Sequence, residues 1–127
     1  MVKYAIKMYT GSVITGDSVA QIIIPQTAML VSVSWDFLGI IGAGAVGAAQ
    51  WYQLATQSTA QVTLNDSRNI IDEFSPYGAN GANFNTSTNK VTPIPGIKFQ
   101  AGDKIYLHTY SYVAWATARC SANLLFA

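Results

Sequence analysis

Apolar and polar positions alternate along much of this chain, most clearly at its C-terminal end. Ala116, Ala118, Cys120, Ala122, Leu124 and Phe126 alternate there with Thr117, Arg119, Ser121 and Asn123. A period of two sends successive side chains to opposite sides of a sheet, so residues 114–126 are predicted to form a strand with one buried and one polar face. The same period opens the chain, where Val2, Tyr4, Ile6 and Met8 alternate with Lys3, Ala5 and Lys7. In the first half it is strongest over Met29, Val31, Val33, Trp35 and Phe37, set against Leu30, Ser32, Ser34 and Asp36. Residues 19–24 form a β-branched run stopped by Pro25, while 50–57 and 60–64 are weaker strand candidates. Further strands are expected near Val91, over 97–99 and over 104–112.

Turn chemistry separates these runs: Thr10-Gly-Ser, Asn65-Asp-Ser and Ala101-Gly-Asp. Residues 75–89 consist mostly of Gly, Asn, Ser and Thr, and are expected to form a long exposed loop. Short strands with turn signals about every ten residues predict an all-β antiparallel fold of about eight strands with few or no helices, either a two-sheet sandwich or a barrel. No repeat and no compositional break appears, so residues 1–127 are expected to form one domain.

Composition narrows the function classes. Only 10% of the 127 residues are charged and the formal net charge is +1, against roughly 25% charged residues in ordinary soluble domains. Lys3, Lys7, Arg68, Lys90, Lys98, Lys104 and Arg119 are scattered, giving no cationic stripe for a phosphate backbone, so no nucleic-acid partner is expected. A surface poor in charge suits contact with other subunits. The longest apolar run, 37–49, carries four glycines and falls short of the roughly 20 residues of a membrane span, so no membrane partner is expected. Lys3 and Lys7 interrupt any early apolar segment, and synthesis in a reducing cytoplasm is expected. A single cysteine, Cys120, excludes an internal disulfide; its place in the alternating run predicts a buried apolar role.

Gly42-Ala-Gly-Ala-Val-Gly47 matches a dinucleotide-binding fingerprint. It follows an apolar strand, precedes a possible helix over 48–56, and stands before Asp66 at about the distance of a ribose-binding acid. Four features oppose that interpretation. The preceding strand alternates, where a doubly covered parallel strand would be continuously apolar. Trp51 stands where close helix packing needs a small residue, and Gln50 and Gln53 interrupt the inward stripe. After Asp66 nothing resembles the rest of a doubly wound sheet. A Gly/Ala-rich loop, packed on a neighbouring subunit, is the expected alternative.

Catalytic groups are sparse. The lone histidine, His108, and lone cysteine cannot supply the usual zinc ligand set. Asp72 and Glu73 are the one adjacent carboxylate pair and are expected in a solvated turn. Asp17, Asp36, Asp66 and Asp103 are expected to bond local backbone at turns or caps. No enzyme, cofactor or metal is predicted. The most suggestive surface feature is the row Tyr106, His108, Tyr110 and Tyr112, with Trp115 and Trp51 as further aromatic candidates. Such rings can pack between sheets, anchor a subunit contact or stack on sugar rings.

The order of these motifs carries a family resemblance over most of the chain. Ile24-Pro25 leads into Val31-Ser-Val-Ser-Trp35; Gln53-Leu-Ala-Thr-Gln-Ser-Thr runs to Asn65-Asp66-Ser67. A polar loop then precedes Pro93-Ile-Pro-Gly-Ile97, and Phe99-Gln-Ala-Gly-Asp-Lys-Ile-Tyr-Leu107 leads to a strand ending in Leu125-Phe126. This resembles the small jelly-roll virion structural proteins of tailed and related bacteriophages, including head-decoration and fibre-type proteins with a sandwich like that of the tumour-necrosis-factor family. The resemblance implies a capsid-associated decoration or cement protein, located on the virion surface. Its implied partners are copies of itself, as a trimer, and major capsid or other virion proteins. A carbohydrate- or receptor-binding fibre module, with a glycan partner, is the alternative implication.

Overall fold

Among the described residues the first strand pairs with the last, the second with the seventh, the third with the sixth and the fourth with the fifth. The computed structural model describes residues 2–10, 16–41, 50–56, 70–74, 84–111 and 117–127. Within them lie β1 (Tyr4–Thr10), β2 (Gly16–Ile23), β3 (Ala28–Ile41), β4 (Gln50–Ala55), β5 (Ile70–Phe74), β6 (Phe84–Phe99), β7 (Lys104–Ser111) and β8 (Thr117–Phe126). They form two antiparallel four-stranded sheets, ordered β1-β8-β3-β6 and β2-β7-β4-β5. Nested pairing of this kind is a long hairpin rolled up on itself, which is the jelly roll.

Period-two patterning fills the space between the sheets. Leu30, Val33, Trp35, Phe37, Ala122, Leu124 and Phe126 from the first sheet meet Tyr52, Leu54, Ile105 and Leu107 from the second, all buried. Aromatic rings join the layers, with Tyr52 6.4 Å from Trp35 and 5.9 Å from Phe37, while within the first sheet Phe126 stacks on Tyr4 at 4.7 Å. These distances lie in the favourable range for ring pairs.

One departure from the expected parity occurs in β3. Simple alternation groups Met29 with Val33, yet Leu30 is fully buried and Met29 is 44% exposed. A bulge reverses the faces: Leu30 pairs Phe126 and Ser32 pairs Leu125, so Val31 is an extra residue against β8. On the other side Ser32 pairs Pro93 and Leu30 pairs Ile97, leaving Ile94, Pro95 and Gly96 opposite Val31. Prolines fit here because β6 ends its sheet and its outward N–H groups need no partner.

Gly96 has φ +96°, and a Cβ there would lie 2.7 Å from Met29 Cε. Gly102 has φ +94°, with nothing within 4 Å of such a Cβ. Gly102 occupies the third position of the predicted turn, where Asp103 N–H donates to the Gln100 carbonyl at 3.0 Å. The Asp103 side chain accepts from Gln100 N–H at 2.8 Å, as expected. Gly96→Ala and Gly102→Ala should each lower stability by about 1–2 kcal/mol through backbone strain. Gly96→Ala should cost only slightly more, because exposed Met29 can swing aside. Urea unfolding of the two variants checks this order.

Several expectations need correction. Residues 84–89, expected in a loop, belong to β6 and pair with the second half of β3; an edge strand can be polar because the ladder bonds are backbone bonds. The helix considered over 48–56 is replaced across 50–55 by β4, which turns Tyr52 and Leu54 inward. Asp72 and Glu73 lie in β5 and not in a turn; Asp17 is within β2 and Asp36 within β3. Gly39 also lies in β3, which runs to Ile41. The 42–47 fingerprint, the 60–64 strand and the Asn65-Asp66-Ser67 turn lie outside the described residues, as do Gly11 and Ser12 of the first turn.

Candidate functional site

Two groups of side chains organise the second sheet, one on each face. On the outward face, register places Val19, His108, Gln53 and Glu73 in one row and Gln21, Tyr106 and Ala55 in the next. Tyr106 and His108 are two residues apart on β7, so they share this face; their rings stack at 6.3 Å with 27° between planes. Tyr106 is half-buried and His108 only 5% exposed. Gln53, also buried, donates from Nε2 to Glu73 Oε1 at 2.9 Å. Tyr110 continues the row in the backbone of β7, opposite Asp17 and Trp51. Tyr112 and Trp115 lie outside the described residues.

On the inward face a polar clasp closes one flank of the sandwich. Trp35 Nε1 on β3 donates to Asp72 Oδ2 on β5 at 2.7 Å. Lys90 on β6 reaches Asp72 Oδ1 at 3.4 Å and donates to the Glu73 carbonyl at 2.8 Å. The clasp therefore ties the edge strand of one sheet to the edge strand of the other. Sequence inspection did not assign Trp35, Asp72 and Lys90 to one another, because they are 37 and 18 residues apart.

Cys120 and Tyr52 share the buried interior. Burial pushes the Cys120 thiol well above its ordinary range, and the Asp36 carboxylate adds to the shift. Burial raises the Tyr52 phenol in the same direction, with Cys120 contributing. Both groups stay protonated when folded and lose protons more readily when unfolded. The folded state thus holds more protons at alkaline pH, and stability must fall as pH rises. The decline should begin near the ordinary thiol value of about 8.5. Thermal unfolding of native protein and of Cys120→Ala should differ in slope above that pH. Iodoacetamide should label Cys120 at least about tenfold faster in urea than in buffer, since the thiolate is the reacting form.

Among the described residues no three of His, Cys, Asp or Glu are grouped so as to hold a metal ion. A surface recess lined by Thr56, Phe99, Asp103 and Lys104 has a volume of about 190 Å³, below the roughly 300–1,000 Å³ of small-molecule pockets. The described geometry offers contact surfaces and a filled interior.

No protein-family model and no curated protein sequence matches the chain. A solved chain titled "Structure of infectious bursal disease virus Gx strain" is similar to it at 10% identity and TM-score 0.29. The match covers 98% of this chain and 33% of that one, so the chain spans about a third of its length. The fold assignment stands on strand order and register alone.

Proposed function

We propose that this chain is a non-enzymatic virion structural protein, a capsid decoration or cement subunit that acts by assembling with copies of itself and with shell proteins. The observation that carries the proposal is the nested strand order of a jelly roll whose interior is packed with side chains. Jelly rolls serve as capsid, lectin and cupin domains. Cupin-like chemistry needs an open interior with polar ligands, whereas Trp35, Tyr52, Leu54 and Leu107 occupy that space here.

The outer face of the first sheet suits broad contact. Ser32, Ser34, Asp36, Ser121, Asn123, Lys7 and Tyr9 all point outward there, mostly short and uncharged. Burying such a face desolvates few ions. Quantitative mass spectrometry of gradient-purified virus particles from cells that make the chain tests the role. Many copies per particle, in fixed ratio to the major shell protein, are expected; particles without the chain would overturn it.

The stacked Tyr106–His108 pair supports a second interpretation, a glycan-binding fibre module. The half-buried Tyr106 ring, backed by the buried His108 on a rigid strand, offers a platform for a sugar face. Retention on a glycan array that Tyr106→Ala abolishes would favour it over a purely structural subunit.

A further inference from the structure

We propose that β2 is a docking edge, and that its occupant is β2 of a second copy paired antiparallel about a two-fold axis. The proposal gives the assembly role a contact surface, and rests on that role only for the use of the contact in a particle.

Among the described residues the sandwich has four edge strands, and three are blunted. β6 carries Pro93, Pro95, a bulge and two lysines, Lys90 and Lys98. β5 has five residues, an irregular register and the charged pair Asp72–Glu73. β1 carries Lys7, with Lys3 just before it. These are the usual devices against edge-to-edge association. β2 has none of them from Val19 to Ile23: Val-Ala-Gln-Ile-Ile has no charge, no proline and an unbroken register with β7.

Hydrogen-bond parity shows which groups face outward. Ile24 N–H donates to the Asp103 carbonyl at 2.8 Å, and the Ile24 carbonyl accepts from Gly102 N–H at 2.8 Å. The backbone groups of Ile24 therefore point towards the β7 side, as those of Ile22 and Ala20 must by alternation. Val19, Gln21 and Ile23 then direct their N–H and C=O groups away from β7, where among the described residues the sheet ends. Their side chains are open as well, with Val19 55% and Ile23 56% exposed.

The segment is self-complementary, which selects a second copy over an unrelated strand. An antiparallel pair centred on Gln21 sets Val19 against Ile23 of the other copy, twice, and Gln21 against Gln21. Two β-branched cross-strand pairs flank one amide pair, with about six new backbone hydrogen bonds. The contact is isologous and closes as a dimer. Both Tyr106–His108 pairs would lie on one continuous eight-stranded sheet, since Gln21 is opposite Tyr106 and Val19 opposite His108.

Sedimentation velocity on the full chain tests the contact. Native protein should show a concentration-dependent species of two chains. Gln21→Lys and Gln21→Glu each set like charges across the axis and should weaken association at least about tenfold. Each should keep the native circular-dichroism spectrum, because Gln21 is exposed. Mixing the two variants should restore the dimer as a heterodimer. Native protein that stays monomeric up to about 1 mM, variants that keep native self-association, or a mixture that fails to recover would each overturn the proposal. Incorporation into particles by a chain that is monomeric in solution would leave the virion role standing and remove only this contact.

Discussion

Trp35→Ala should cost the fold about 3–5 kcal/mol, the range for truncating a fully buried aromatic side chain. Trp35 has no solvent exposure, packs against Tyr52 of the facing sheet and anchors the clasp through its indole nitrogen. Removing it opens a cavity between the layers and takes away the donor that Asp72 accepts from. A small domain is stable by about 5–15 kcal/mol, so the loss is about a fifth of the total or more. Urea unfolding should show the midpoint displaced with little change in slope. Val91→Ala on the exposed edge of β6 is the control, since Val91 is 67% exposed, and should stay within about 0.5 kcal/mol of native. A Trp35→Ala protein with native stability would mean that the sheets do not pack through this ring.

Asp72→Ala should be the next most damaging change, at about 2 kcal/mol. Its carboxylate accepts from Trp35 at 2.7 Å and lies 3.4 Å from the Lys90 ammonium. The indole bond is the larger part, because a buried donor that loses its acceptor costs about 1–3 kcal/mol. The Lys90 contribution is small: that side chain is 44% exposed, and such pairs are worth roughly 0–1 kcal/mol. Geometry therefore predicts strong coupling between Asp72 and Trp35 and weak coupling between Asp72 and Lys90. A double-mutant cycle of Asp72→Ala with Trp35→Phe should show non-additivity of about 1 kcal/mol or more, because Phe lacks the donor. The cycle with Lys90→Ala should be additive within about 0.5 kcal/mol. The opposite ranking would place the clasp's stabilisation in the ion pair.

Much of the architecture was legible from alternation because antiparallel strands with one wet face must alternate. The runs containing Tyr4–Met8, Val33–Phe37 and Cys120–Phe126 all became core strands in the expected parity. Failures came where backbone geometry overrides side-chain pattern. At Val31 one inserted residue reversed the faces of Met29 and Leu30, and nothing in Met-Leu-Val-Ser announces a bulge. The 84–89 segment looked like a loop because an edge strand can be held by backbone bonds while its Asn, Ser and Thr side chains stay polar.

The contact surfaces were less legible. The pattern predicted that Tyr106 and His108 share a face, which the register shows, but not that His108 would be buried on the outward side. Asp72 looked like a turn residue because its partners, Trp35 and Lys90, come from distant strands. The open edge at β2 becomes visible only when four edges can be compared, since Val-Ala-Gln-Ile-Ile alone reads equally well as a central strand.

Electron cryo-microscopy of particles made with and without this chain tests the virion role most directly. The account predicts repeated density on the shell that accommodates a two-sheet, eight-stranded roll and disappears when the chain is deleted. Shells identical in both preparations would contradict it.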